Sequence, residues 1–251
     1  MSSKKPYGVL ILHGFTSSLD CVNGLEAPIQ ALGLPTRMPV LRGHSAASPE
    51  ALRSVTWHDW VADAEAALQD LLTEADKAIV VGLSLGGLVA LTLAADHADV
   101  IDSIVLAAAA VQLVNPLGPG GPLHFLTPLL TRLLRKWGMP PTYADPALAQ
   151  YNTNYLWAPI EAFATLFDFI KATRRRLPEV RVPALIMQSR KDTLVAPAST
   201  EIIYNGISTP PEQKRCVWFE VTEHEMFRDC ERDGTIGAVV DYVKERAGLA
   251  G

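Results

Sequence analysis

The chain has 251 residues, 49% of them hydrophobic and 20% charged, with a formal net charge of −5. That supplies apolar material for a deep core, in a length that suits one large α/β domain. The acidic balance argues against nucleic acid as a partner, because binding phosphates requires a basic face. The one dense basic run, Arg174-Arg175-Arg176, reads as a solvated helix face.

In chain order, the first apolar run is YGVLIL at 7–12. It follows a basic start but is too short for the core of a signal peptide or for a bilayer span, so a first strand is expected there. A helix near 22–32 and a weaker strand at 36–41 follow. In TWHDWVADAEAALQDLL, the residues Trp57, Trp60, Val61, Ala64, Leu68, Leu71 and Leu72 recur at three- and four-residue intervals, with Thr56 and Asp59 placed to cap the helix. Next come a strand at 78–83, a helix at 85–97 and a strand at 101–107.

From Val111 to about Pro178 no strand pattern is evident. A Pro/Gly-rich opening leads to a stripe of Leu126, Leu129, Leu130, Leu133 and Leu134 beside Arg132, Arg135 and Lys136. This reads as a helical insertion resting on the sheet, ending in a helix at 159–176, with its stripe used for packing in preference to membrane docking. A strand at 183–188, a helix at 198–206, a strand at 215–221 and a helix at 230–246 complete the chain. The strand runs lack polar alternation, as expected for a parallel sheet covered on both faces. Strands alternating with helices give the α/β class, in a single domain over 1–251 with the insertion at about 111–178.

Within this frame, GLSLG at 82–86 places Ser84 between glycines where a strand turns into a helix. That is the context of a nucleophile elbow, in which a tight turn lifts the hydroxyl to a helix N-terminus. A simple helix cap would explain the serine but not the glycines on both sides. A serine needs a base to take its proton and an acid to orient that base. Of six histidines, His224 follows the last strand in VTEHEMFRD, at the edge where open α/β sheets form their sites. His13 and His44 also follow strands and are expected to buttress loops, while His58, His97 and His124 suit surface or packing roles. Asp192, in SRKDTLVAP after a strand, is the candidate acid; Asp229 is nearer to His224 in sequence but is expected to begin a helix. The order Ser84, Asp192, His224 fits the elbow reading. An oxyanion would be held by the backbone N–H of Leu85 and that of Phe15 in ILHGFTSS.

Three widely spaced cysteines, Cys21, Cys216 and Cys230, form neither a zinc pattern nor a disulfide framework, so buried free thiols and a cytoplasmic location are expected. No dinucleotide fingerprint, phosphate loop or metal-spaced cluster is evident, so neither cofactor nor metal is expected.

With LILHGFTSS, LRGHS, TWHDWV, VVGLSLGG, VPALIMQSRKDTLVAP, IIYNGIS and TEHEMFRDCE in this order, the sequence resembles the α/β-hydrolases, more narrowly the small bacterial carboxylesterases and monoacylglycerol lipases. The resemblance implies a serine esterase with Ser84, Asp192 and His224 as triad, Phe15 and Leu85 as oxyanion donors, and a small cap over 111–178. It implies a small-molecule ester as substrate and no stable membrane insertion. Thioester, amide or C–C hydrolysis could use the same groups, and a non-catalytic ligand-binding member of the fold is the alternative from another class.

Overall fold

The computed structural model describes residues 4–249. In chain order its first elements are β1 (Lys5–Leu12), α1 (Glu26–Gln30), β2 (Thr36–Arg37), α2 (Trp57–Leu71), β3 (Ala75–Leu83), α3 (Leu85–Asp96) and β4 (Ile101–Ala107). There follow α4 (Thr127–Leu133), β5 (Lys136–Gly138), β6 (Trp157–Pro159), α5 (Ile160–Arg176), β7 (Ala184–Ser189), α6 (Ala198–Gly206), β8 (Lys214–Phe219) and α7 (Arg232–Arg246). Six strands pair in parallel in the order β2-β1-β3-β4-β7-β8.

The unbroken apolar runs follow from burial on both faces. Alternate residues of a strand point to opposite sides. Leu10, Leu12, Val80 and Leu106 join one core with Trp60 and Leu68 of α2, Leu88 and Leu91 of α3, and Phe169 of α5. Val9, Ile11, Ile79, Val81 and Val105 join the other with Ile29 of α1 and Val239 and Val243 of α7. At the start of α2, the Thr56 amide and hydroxyl both donate to Asp59, at 2.9 and 2.8 Å, as the cap pattern required.

The chain runs outward from β1 to β2, then returns and proceeds the other way from β3. The crevice where the direction reverses lies at the C-terminal ends of β1 and β3. Ser84 sits there with φ 56° and ψ −111°, a left-handed backbone that a non-glycine residue adopts only when its surroundings force it. Crowding supplies that force. A Cβ on Gly82 would lie 2.2 Å from the Gly86 carbonyl oxygen, and one on Gly86 would lie 2.3 Å from the Leu12 carbonyl oxygen.

The structure departs from the sequence reading in five places. The weak strand at 36–41 is only Thr36–Arg37, and the helix near 22–32 is two 3₁₀ turns leading into α1. The insertion does contain strands, an antiparallel β5–β6 pair too short for a periodic pattern to register. Its last helix, α5, packs on α2 and α3, with Phe169 fully buried and its ring stacked 4.9 Å from that of Trp57. The leucine stripe at 126–134 does not pack as expected: Leu129, Leu133 and Leu134 are 57, 70 and 41% exposed. Only Leu126 and Leu130 turn inward far enough to be half-buried.

Two glycine substitutions should have opposite signs. Gly86→Ala should lower stability by about 3 kcal/mol or more, or prevent folding, since the clashing atom is backbone that cannot rotate away. Gly237→Ala, inside α7 with nothing within 4 Å of the new carbon, should raise it by about 0.5–1 kcal/mol. Denaturant unfolding of both variants checks the pair; a stable Gly86→Ala protein would refute the crowding account.

Candidate active site

Four loops at the C-terminal edge of the sheet converge. The loop after β1 carries Gly14 and Phe15, the turn after β3 carries Ser84, the loop after β7 carries Asp192 and the loop after β8 carries His224. A Cβ on Gly14 would lie 3.4 Å from Ser84 Cβ, so the first loop lies directly against the serine. Neither the Phe15 amide nor the Leu85 amide donates to an acceptor among the described residues. Leu85 is the first residue of α3, where the helix leaves its amides unpaired and its dipole favours negative charge.

The first loop is braced from behind. His13 accepts a hydrogen bond from the Leu41 amide at 3.0 Å through Nε2 and donates through Nδ1 to the Gly14 carbonyl at 2.9 Å. His44 Nδ1 donates to the Leu41 carbonyl at 3.0 Å, and the two rings meet edge to face at 4.8 Å. Burial pushes His13 down to about 4 and His44 to about 3, the latter also through its neighbour His13. Both are therefore neutral struts at ordinary pH, as the loop-buttressing expectation required.

Asp192 and His224 form a buried pair. Asp192 Oδ2 accepts from His224 Nδ1 at 2.9 Å and from Gln188 Nε2 at 3.1 Å. Its Oδ1 accepts the amides of Leu194 and Val195 at 2.9 and 2.8 Å. Burial alone would raise the carboxyl, but the His224 charge and hydrogen bond with the two amides hold it below its usual range. For His224 the balance runs the other way. Burial disfavours the charged ring, yet Asp192, helped by Glu225 and Glu223, holds it above the ordinary histidine value. With Nδ1 committed to Asp192, the ring offers Nε2 to the cavity that Ser84 also borders. Ser84 Oγ and His224 make no direct hydrogen bond in this structure, a looseness common before substrate closes the site.

Asp229 lies apart from this pair and before α7, not within it. Its carboxylate accepts the amides of Glu223, Ala144 and Cys230 at 2.7–2.8 Å, tying the His224 loop to the insertion. His58 stacks on Trp57, His97 meets Glu65 at 3.2 Å, and His124 contacts the Leu117 carbonyl; none reaches the site.

The cavity has a volume of about 380 Å³. Trp137, Phe163, Leu166, Phe167, Leu113 and Val195 give it an apolar wall, whereas Trp157 and the leucines of α4 do not border it. Glu225 and Asn154, which the sequence reading passed over, do: Asn154 Nδ2 donates to Glu225 Oε1 at 2.7 Å. An acid directly after a catalytic-loop histidine was visible in the sequence, but its burial was not.

A comparison of sequences gives a curated relative 28% identical over 97% of this chain and 92% of its own length, a thermostable monoacylglycerol lipase from Bacillus sp. strain H-257. A carboxylesterase from Bacillus subtilis strain 168 is 27% identical over 94% of this chain and 92% of its own. Among solved structures, one from work on LipS and LipT, two metagenome-derived lipolytic enzymes, matches with a TM-score of 0.84 at 26% identity, covering 97 and 96% of the two chains. A soluble variant of the monoglyceride lipase from Saccharomyces cerevisiae, with a substrate analogue, shares the fold at a TM-score of 0.79 and 14% identity, over 98 and 88%. The model of the hydrolase family described as serine aminopeptidase, S33, matches residues 4–231, and the chain belongs to that family of α/β-hydrolases.

Proposed function

We propose that the chain hydrolyses carboxylic esters of apolar acids through an acyl-enzyme on Ser84. The observation that carries this reading is the buried Asp192–His224 pair, which opens onto the same cavity as a serine held at φ 56° on a helix N-terminus. Ser84 Oγ attacks the ester carbonyl while His224 Nε2 takes its proton. The carbonyl oxygen gains charge and is received by the Phe15 and Leu85 amides, worth about 3–4 kcal/mol per donor. His224 then returns the proton to the departing alcohol oxygen. Water then gives a proton to His224 as it adds to the acyl carbon; the bond to Ser84 Oγ breaks, His224 returns that proton to the serine, and the acid is released. Asp192 keeps the ring in the correct tautomer throughout. The lipase and esterase names of the relatives support the ester as substrate.

The reading takes the chain as one domain whose cavity-covering insertion ends near β6, because α5 packs as part of the body. It keeps a cytoplasmic location, supported by three free thiols; only Cys21 is buried, whereas Cys216 is half-buried and Cys230 exposed, against the expectation of burial for all three. Among the described residues, no helix is long and apolar enough to cross a membrane.

Ser84→Ala should fold and lose activity by about 10⁴-fold or more, together with labelling by a fluorophosphonate probe. Near-normal turnover of p-nitrophenyl butyrate by the purified variant would end the proposal. Asp192→Asn should be crippled in kcat, whereas Asp229→Asn should lower the melting temperature and leave the kcat of the folded protein within a few-fold; the reverse ranking would transfer the orienting role.

The base must be neutral to accept a proton, so activity should fall as pH drops through the His224 pKa. Because that pKa is raised, the midpoint of the acid limb of kcat/KM should lie above 6.5, the ordinary value. A limb centred below 6 would contradict the Asp192–His224 assignment.

The apolar wall sets the acyl preference. At about 0.8 kcal/mol per buried methylene, kcat/KM should rise several-fold for each added pair and fall once the chain outgrows the cavity. Phe167→Ala should move the optimum to longer chains, as read with p-nitrophenyl esters of graded length. An unchanged profile would place the acyl chain elsewhere.

A further inference from the structure

The cavity has one carboxylate that the proposed mechanism does not use. Glu225 is 6% exposed and borders the cavity beside His224. Its Oε1 accepts from Asn154, but its buried Oε2 has no protein partner, and neither does the buried Oδ1 of Asn154. A buried acceptor without a donor is costly, and far more so when it carries charge.

The neighbouring charged groups are committed elsewhere. Arg228 spends its guanidinium on the Tyr151 carbonyl and the Thr153 hydroxyl. Glu223 Oε2 receives the amides of His224 and Thr193 at 2.8 and 3.3 Å, and Asp229 holds the backbone amides already described. Among the described residues that line the cavity, Glu225 is the single acidic side chain, and none is Lys or Arg. Burial holds its carboxyl above the ordinary range, against the lowering effect of the His224 and Arg228 charges and the Asn154 hydrogen bond.

We propose that Glu225 and Asn154 form a leaving-group subsite that selects esters whose alcohol portion carries a protonated amine. The inference rests on the ester-hydrolase reading and adds the chemistry of the alcohol. His224 must deliver its proton to the leaving oxygen, so the alcohol portion lies on the His224 side of the cavity, where Glu225 is the adjoining residue. An N–H⁺ group matches the charge of Glu225 and supplies the donor that Glu225 Oε2 and Asn154 Oδ1 both lack. The same pair disfavours an anionic alcohol portion, for which the cavity lining offers no Lys or Arg.

The test compares two esters of the same shape at pH 7, 2-(dimethylamino)ethyl butyrate and 3-methylbutyl butyrate. Each kcat/KM is divided by the ester's own rate of hydroxide hydrolysis, which removes the difference in leaving-group reactivity. The cationic ester should be preferred by about tenfold, the size of one hydrogen bond to a charged group. The preference should shrink toward unity in Glu225→Gln, through KM more than kcat, and part of the way in Asn154→Ala. 3-Hydroxypropyl butyrate, which has a neutral donor, should show no comparable preference; if it matches the amine, a neutral hydroxyl site replaces the cationic one. Equal rates for the amine and its isostere in the unmodified protein would overturn the subsite without needing any variant. Failure to hydrolyse any of the three, together with no fluorophosphonate labelling, would instead overturn the ester-hydrolase reading beneath it.

Discussion

The contact on which the site depends is that between Gly86 and the last carbonyl of β1. With the Leu12 oxygen 2.3 Å from where a side chain would begin, α3 can approach β1 only at a residue that has none. That approach brings the end of β1 and the Gly14 loop beside the N-terminus of α3, two elements far apart in sequence. It also holds Ser84 in its left-handed backbone, with its oxygen turned toward the crevice rather than back onto the helix as a cap. The reversal of strand order at β1 and β3 keeps that crevice clear of a covering helix.

Around this rigid centre, burial acts on like groups with opposite results. His13, His44 and His224 are all buried, yet the first two are held neutral and the third is biased toward its charged form. The difference is the carboxylate: backbone carbonyls and amides face His13 and His44, while Asp192 faces His224. The acids sort in the same manner. Asp192 and Asp229 are each surrounded by donors and stay below the usual carboxylate range, whereas Glu225 has a single donor and does not. Burial raises all three carboxyls, and the two that end below the usual range are those with several hydrogen-bond donors.

The sheet was legible because a strand buried on both faces writes an unbroken apolar run, as AIVVGL does. The site was legible because Ser84, Asp192 and His224 each follow such a run, and a chain that puts its loops at one sheet edge gathers them whether or not they are adjacent in sequence. What the sequence hid has different causes. The β5–β6 pair owes its existence to partners across the insertion, and three residues carry no period. The leucine stripe at 126–134 has the spacing of a packed helix, but spacing reports which residues share a face and not what that face meets; here Leu129, Leu133 and Leu134 meet solvent. Glu225 reads as one more acid in an acidic loop until its surroundings are known.

Tyr155 joins two parts of the chain that sequence reading kept apart. Its amide donates to the Thr16 carbonyl at 2.8 Å, and its hydroxyl receives the Ala46 amide at 2.7 Å and lies 3.2 Å from the Gly43 carbonyl. One residue of the insertion thus clips the loop after β1 to the loop that carries His44. Exchange of this segment with that of a relative, to transplant a substrate preference, would therefore have a natural seam. A graft that stops short of Asn154 leaves the clip in place, while one that replaces Tyr155 with a smaller residue keeps the amide hydrogen bond to Thr16 and releases the loop that carries His44. Recombination along this chain is constrained less by the ends of its helices than by that single ring.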